Sequence, residues 1–131
     1  MDVTFNQIEA AREGAVIVID ARRYHPTRVR WLARALAAEG TVELAGAGMI
    51  LLVVAEANAA ESWLTLQRVR HQLAIEGWSY AAASMACWPM QGSSATDVVA
   101  AALAGLVDEE ARMEPPVEHE DWVAAGELLT G

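Results

Sequence analysis

Two hydrophobic periods divide this chain into short blocks. Residues 4–13 carry a helical pattern, with Thr4 as N-cap, Gln7 at the reciprocal capping position and Gly14 as the stop. AVIVID, residues 15–20, is a branched apolar run that predicts a buried strand with Asp20 at its carboxyl edge. Pro26 suits the first turn of a helix, where a missing N–H has no intrahelical partner. In the segment that follows, Val29, Leu32, Ala33, Leu36 and Ala37 form one stripe, Arg28, Arg30 and Arg34 reach solvent, and Gly40 ends the helix. Residues 41–45 and 49–55 predict two strands around Gly46-Ala47-Gly48, close enough to be a hairpin. The second, MILLVVA, is apolar throughout, as a central strand is.

Asn58 and Glu61 make a capping box for a helix over 59–75, in which Trp63, Leu66, Val69 and Leu73 recur at helical spacing. Gly77 closes it. Residues 78–88, WSYAAASMACW, read as a strand even though alanine favours helix, because the turn segment PMQGSS follows at once. Ser94 and Asp97 then cap a helix over about 95–109 that offers Val98, Val99, Ala102, Leu103 and Leu106 to a core. EARMEPPVE, residues 110–118, breaks the pattern with two prolines, and a last helical piece over 119–129 carries Trp122, Val123 and Leu128.

The order is thus α-β-α-β-β-α-β-α-α with a βαββαβ centre. That centre predicts an α/β (α+β) fold of the ferredoxin-like type, a four-stranded antiparallel sheet with two crossover helices on one face and extra helices at the ends. A parallel three-layer sheet is disfavoured because the 41–45 and 49–55 strands are joined too tightly for a parallel crossover.

Composition adds limits. A chain of 131 residues, 54% hydrophobic, matches one domain with a real core. Cys87 is the single cysteine, so neither an internal disulfide nor a thiolate metal site is open to it. The first residues do not read as a secretory signal, and the longest apolar runs fall short of the ~20 residues that span a bilayer, so the expectation is a cytoplasmic protein, or a piece of one, without membrane insertion. Nine basic residues, all arginine, against 18 acidic ones give a formal charge of −9, which argues against nucleic acid as a partner. The arginines nevertheless gather in the first third while acids dominate 108–121. This leaves open a local basic face for an acidic partner or a nucleotide, or ordinary solvated helix faces.

Two segments carry a family pattern. Residues 84–103, SMACWPMQGSSATDVVAAAL, resemble the fourth-strand motif of the GGDEF, or diguanylate cyclase, domain, and VIVIDARRY resembles that family's first-strand segment. LAGAGMILLVV stands in the place of the signature hairpin, and the helix over 59–75 agrees in spacing, so the resemblance covers about residues 14–107. It implies a nucleotide-cyclase-like antiparallel sheet, with a degenerate GGDEF-like domain over 1–109 and a linker and acidic C-terminal helix over 110–131. Asp20 matches the family's metal aspartate, but Arg22 replaces its second aspartate and Tyr24 its phenylalanine. Gly46, Ala47, Gly48, Met49 and Ile50 fill the five signature positions, so both acids are missing. One carboxylate with Met and Gly cannot ligate two divalent cations beside a triphosphate. The guanine-reading segment has no room after the first strand, and TVELA lacks the Arg and Asp of the inhibitory product site. The expectation is no enzymatic activity and no cofactor.

Other chemistry is sparse. His25, His71 and His119 show no zinc spacing, the chain has no lysine and hence no P-loop, and Ser84 and Cys87 lie on an apolar strand rather than a nucleophile elbow. Asp20 reads either as a relic paired with a neighbouring arginine or, with Arg22, Arg23, Arg28 and the hairpin glycines Gly46 and Gly48, as part of a site for a nucleotide or other anionic small molecule. The five tryptophans against one phenylalanine point to interface use. Trp31 and Trp122 are the two least expected in a core, and Trp63, Trp78 and Trp88 are expected inside. The leading expectation is an inactive scaffold that binds a protein partner or itself through Trp31, Arg30, Arg34 and Trp122 in bacterial signalling. The alternative is a sensor using the remnant crevice.

Overall fold

Strand β1, Gly14–Asp20, runs through the centre of the molecule and is buried along its whole length. The structure, a computed structural model, describes residues 1–113. Eight elements succeed one another: α1 (Asp2–Ala10), β1, α2 (Pro26–Leu36), β2 (Thr41–Ala45), β3 (Met49–Ala55), α3 (Ala59–Ile75), β4 (Ala82–Trp88) and α4 (Ala95–Met113). The strands form one antiparallel sheet in the order β2-β3-β1-β4, with Ile17 opposite Leu52 on one side and Met85 on the other. The described residues form a mixed α/β fold whose first and last elements are helices.

Side-chain alternation splits the core into two layers. Ile17, Ile19, Ile50 and Leu52 point to α2 and α3, where Leu32, Leu36, Val69 and Leu73 meet them. Val16, Val18, Leu51 and Val53 point the other way, to Ile8 of α1 and to Val98, Ala102 and Leu106 of α4. Each such side chain contributes about 1.5–3 kcal/mol by leaving water. Two crossover helices on one face was the expectation for the sheet, and the terminal helices α1 and α4 turn out to cover the second face. A central strand apolar on both sides requires that.

The hairpin strands and α3 have the bounds read from the sequence, and the capping box is present: Glu61 N–H donates to Asn58 Oδ1 at 2.8 Å and Asn58 N–H to Glu61 Oε1 at 2.9 Å. Four details differ. Helix α1 begins at Asp2, not at a Thr4 cap. Thr4 is fully buried, and its N–H and hydroxyl both donate to Glu43 Oε1 of β2, at 2.8 and 2.6 Å, so a carboxylate from a neighbouring strand meets the helix's unpaired amide. Strand β4 starts at Ala82 because residues 78–81 make a turn, with Ala81 N–H donating to Trp78 O. Helix α4 runs on to Met113, past the expected end at 109, supported by an Arg112–Glu109 ion pair of 3.1 Å, before the prolines at 115 and 116. Trp63 is exposed rather than buried, since the inward stripe of α3 is Ser62, Thr65, Leu66, Val69 and Leu73.

The alanines of β4 have a packing reason. Gly105 of α4 lies so close to Ser84 that a Cβ on it would collide with the hydroxyl. Small residues on both elements bring helix and sheet nearer than larger ones would allow.

Candidate functional site

Two regions carry the sequence candidates, and the first is the carboxyl end of β1. Asp20 lies on the α4 side of the sheet and is 6% exposed. Arg22 takes its carboxylate: Nε donates to Oδ1 at 2.9 Å, Nη2 to Oδ2 at 2.7 Å, and the Arg22 amide to Oδ1 at 3.0 Å. Glu110, from the last turns of α4, comes within 3.9 Å of the same guanidinium. Burial pushes the Asp20 carboxyl up, but the Arg22 hydrogen bonds and charge outweigh it and hold the group below its ordinary range. Burial, and then the charge of Asp20, push Glu110 up.

The hairpin closes this region from the other side. Gly48 has φ +117°, and a side chain there would meet the Arg22 Cα and the Ala21 carbonyl near 3.0 Å or less; its own carbonyl accepts from Ala21 N–H at 2.8 Å. The Gly46–Gly48 turn is therefore packed backbone to backbone against the end of β1. Gly46, with φ +66° and open space around it, stands at the tip. Asp20 and the hairpin glycines are thus neighbours, as the sequence implied. The three arginines diverge: Arg22 caps Asp20, Arg23 lies over the Tyr80 ring at 5.6 Å, and Arg28 lies over Tyr24 at 5.0 Å and Trp78 at 4.6 Å. Among the described residues, no three His, Cys, Asp or Glu side chains converge as a metal set.

Around Arg28 lies the second region. Pro26 opens α2, and His25 caps it, its Nδ1 accepting from Thr27 N–H at 3.1 Å. The outward side of the helix carries Arg28, Arg30, Trp31 and Arg34, all exposed. Trp31 is 73% exposed, while Leu32 on the inner side is buried. Arg30 Nη2 donates to the hydroxyl of its helix neighbour Thr27 at 3.4 Å. Between α2 and the end of α3 is a cleft of about 480 Å³ lined by Arg28, Trp31, Leu32, Ala35, Glu76 and Trp78. Trp78 in its lining packs on Tyr24, with ring centroids 4.6 Å apart, and the Tyr24 hydroxyl accepts from Tyr80 N–H at 2.8 Å. A second cleft of about 440 Å³ shares Trp78 and is bordered by Arg70 and by Glu109 of α4.

The structure joins Arg30, Trp31 and Arg34 on one exposed helix face; Trp122 and His119 lie outside the described residues. Glu110, Tyr24, Trp78 and Tyr80 were missed as site residues. Glu110 was assigned to a linker, and the ring cluster comes from residues over 50 positions apart, for which a single sequence has no signal. No family model, curated protein or solved structure matches this chain.

Proposed function

We propose that the chain is a catalytically inactive domain of the GGDEF-like type, a cytoplasmic protein-interaction or dimerisation module of bacterial signalling. The order β2-β3-β1-β4, with βαββαβ connectivity, is the arrangement of ferredoxin-like and nucleotide-cyclase-like sheets and supports that kinship. The observation that carries the functional reading is Trp31, 73% exposed at the mouth of a cleft with arginines beside it. A large aromatic next to a pre-formed depression, with Arg at its rim, is the composition of an interaction hot spot.

The sensor reading is weaker because the group it needs is occupied. Asp20 spends both oxygens on Arg22, and Gly48 is packed against the backbone that would have to open. A ligand phosphate would have to take Arg22 from a buried carboxylate, leaving that carboxylate unpaired.

The test joins light scattering over a concentration series with calorimetry against GTP plus Mg²⁺ and against cyclic di-GMP. The expected result is no nucleotide heat and a self-association that Trp31→Glu weakens. Nucleotide heat transfers the reading to the sensor, and an association unchanged by Trp31→Glu sinks the α2 face as the working surface.

A further inference from the structure

Two opposite charges line the α2 cleft without neutralising each other. The Arg28 guanidinium stacks over the Trp78 ring at 4.6 Å and the Tyr24 ring at 5.0 Å. Glu76, directly after the last residue of α3, accepts from Trp78 Nε1 through Oε1 and from Gln72 Nε2 through Oε2, both at 3.2 Å. One indole thus holds both heads, a cation over its face and an anion at its N–H edge. Among the described residues neither Arg28 nor Glu76 forms an ion pair. The other charged clusters described above differ in this: Arg70 and Glu109 meet at 3.7 Å across the second cleft, and Asp20 and Arg22 at 2.7 Å at the end of β1.

What these heads still offer defines a ligand. A guanidinium stacked on rings keeps its in-plane N–H groups for a carboxylate. On the same side of the cleft, the first turn of α2 holds no acid and adds the end of the helix dipole that favours an anion. Each Glu76 oxygen accepts one hydrogen bond and keeps a lone pair for an ammonium donor. The remaining walls are apolar, with Trp31 and Ala35 one turn apart on α2 and Trp78 facing them, so a methyl leaves room beside the exposed Trp31 indole. A volume of about 480 Å³ is that of a small-molecule site. A plain anion would meet the charge of Glu76 there, a plain cation that of Arg28, and a neutral molecule would leave both heads without a partner. A carboxylate and an ammonium on one carbon, joined to an apolar body, satisfy all of these groups together.

We propose that the α2 cleft binds a free α-amino acid with an apolar side chain, its carboxylate on Arg28, its ammonium on Glu76 and its side chain against Trp31 and Trp78. This goes beyond the docking reading of the α2 face, with which it shares Trp31. Arg28 and Glu76 are both exposed, so the affinity is that of a sensor, with a Kd on the order of 0.1–1 mM.

The test is calorimetry of the full chain with L-phenylalanine and L-leucine, and with two analogues that each lack one charge: N-acetyl-L-phenylalanine, without the ammonium, and L-phenylalaninamide, without the carboxylate. Heat is expected with both free amino acids, and either analogue is expected to bind about tenfold more weakly or worse than L-phenylalanine. Two exposed substitutions then divide the roles. In Arg28→Gln the preference for L-phenylalanine over its amide is expected to vanish while the preference over the acetyl analogue stays, and in Glu76→Gln the reverse. No heat with either amino acid overturns the proposal. So does N-acetyl-L-phenylalanine binding as well as L-phenylalanine, because the site then takes an aromatic anion, and so does an equal weakening of all three phenylalanine ligands in both variants, because the two heads are then only structural. The docking reading is judged apart, by the response of self-association to Trp31→Glu, and its failure leaves the calorimetric pattern standing.

Discussion

Replacing Asp20 with Asn tests whether the end of β1 is held by an ion pair. Asp20 is buried and receives three hydrogen bonds from Arg22, two from the guanidinium and one from the amide. Bonds to a charged group are worth about 1.5–3 kcal/mol, and an exposed pair about 0–1. The Arg22 side chain is 56% exposed, so the pair falls between these limits, and Asn retains one acceptor oxygen for the amide. Relief of the repulsion on Glu110 returns a few tenths of a kcal/mol. The expected cost at neutral pH is about 1–2 kcal/mol, which lowers a urea midpoint by roughly 0.5–1 M.

The pH dependence supplies the sharper test. The folded Asp20 carboxyl lies below its ordinary value, so its contribution is complete above the unfolded carboxylate's range and is lost as pH falls through the folded pKa. Glu110 has the opposite sign. Its folded pKa lies above the ordinary glutamate value, so wild-type stability first rises slightly as Glu110 takes up a proton and then falls as Asp20 does. Urea titrations of wild type and Asp20→Asn from neutral pH to below 3 are therefore expected to converge at the acid end. Equal midpoints at neutral pH, or a gap that persists in acid, refute the ion pair as the cause.

Other substitutions address other contacts. Glu43→Gln removes the charge that receives the Thr4 amide and hydroxyl and is expected to cost about 1–2 kcal/mol, with faster amide exchange in α1 before the sheet responds. Gly105→Ala forces α4 away from Ser84 and is expected to cost about 1–3 kcal/mol; Ser84→Gly in the same chain should restore part of it, a coupling that a double-mutant cycle reads directly. Ser62 is fully buried and, among the described residues, its hydroxyl meets no N or O partner and has only the weakly bonding Cys87 thiol beside it, so Ser62→Ala is expected to leave thermal stability unchanged or raise it by up to about 1 kcal/mol.

What the sequence disclosed follows from how local each signal is. Strands 41–45 and 49–55 and the Asn58–Glu61 cap depend on residues next to one another, and they stand where the pattern put them. Trp63 was assigned inward because hydrophobicity alone picks the stripe of α3; Ser62 and Thr65 hold two of its buried positions, and polar residues there conceal the phase. The start of α1 depends on Glu43, 39 residues away, and a local search finds a cap at Thr4 instead. At the candidate sites, the pairing of Asp20 with Arg22 was among the readings weighed, since two residues on one strand end can only be close. Its closure by Glu110 was not, because the prolines at 115 and 116 pulled the expected helix end too early.

Glu43 also fixes how the hairpin is threaded. Strand β2 is five residues long and, among the described residues, has no strand on its far side, and its pairing with β3 sets Glu43 opposite Leu51 on the α1 side and Val42 opposite Leu52 on the α2 side. A shift of one residue would exchange those sides, sending a carboxylate into the layer of Leu36 and Leu52 and stripping Thr4 of its acceptor. An acid at the middle of this strand thus penalises every odd-numbered misalignment of the sheet's edge, and a single charged side chain serves as the selector for one threading of the chain over its competitors.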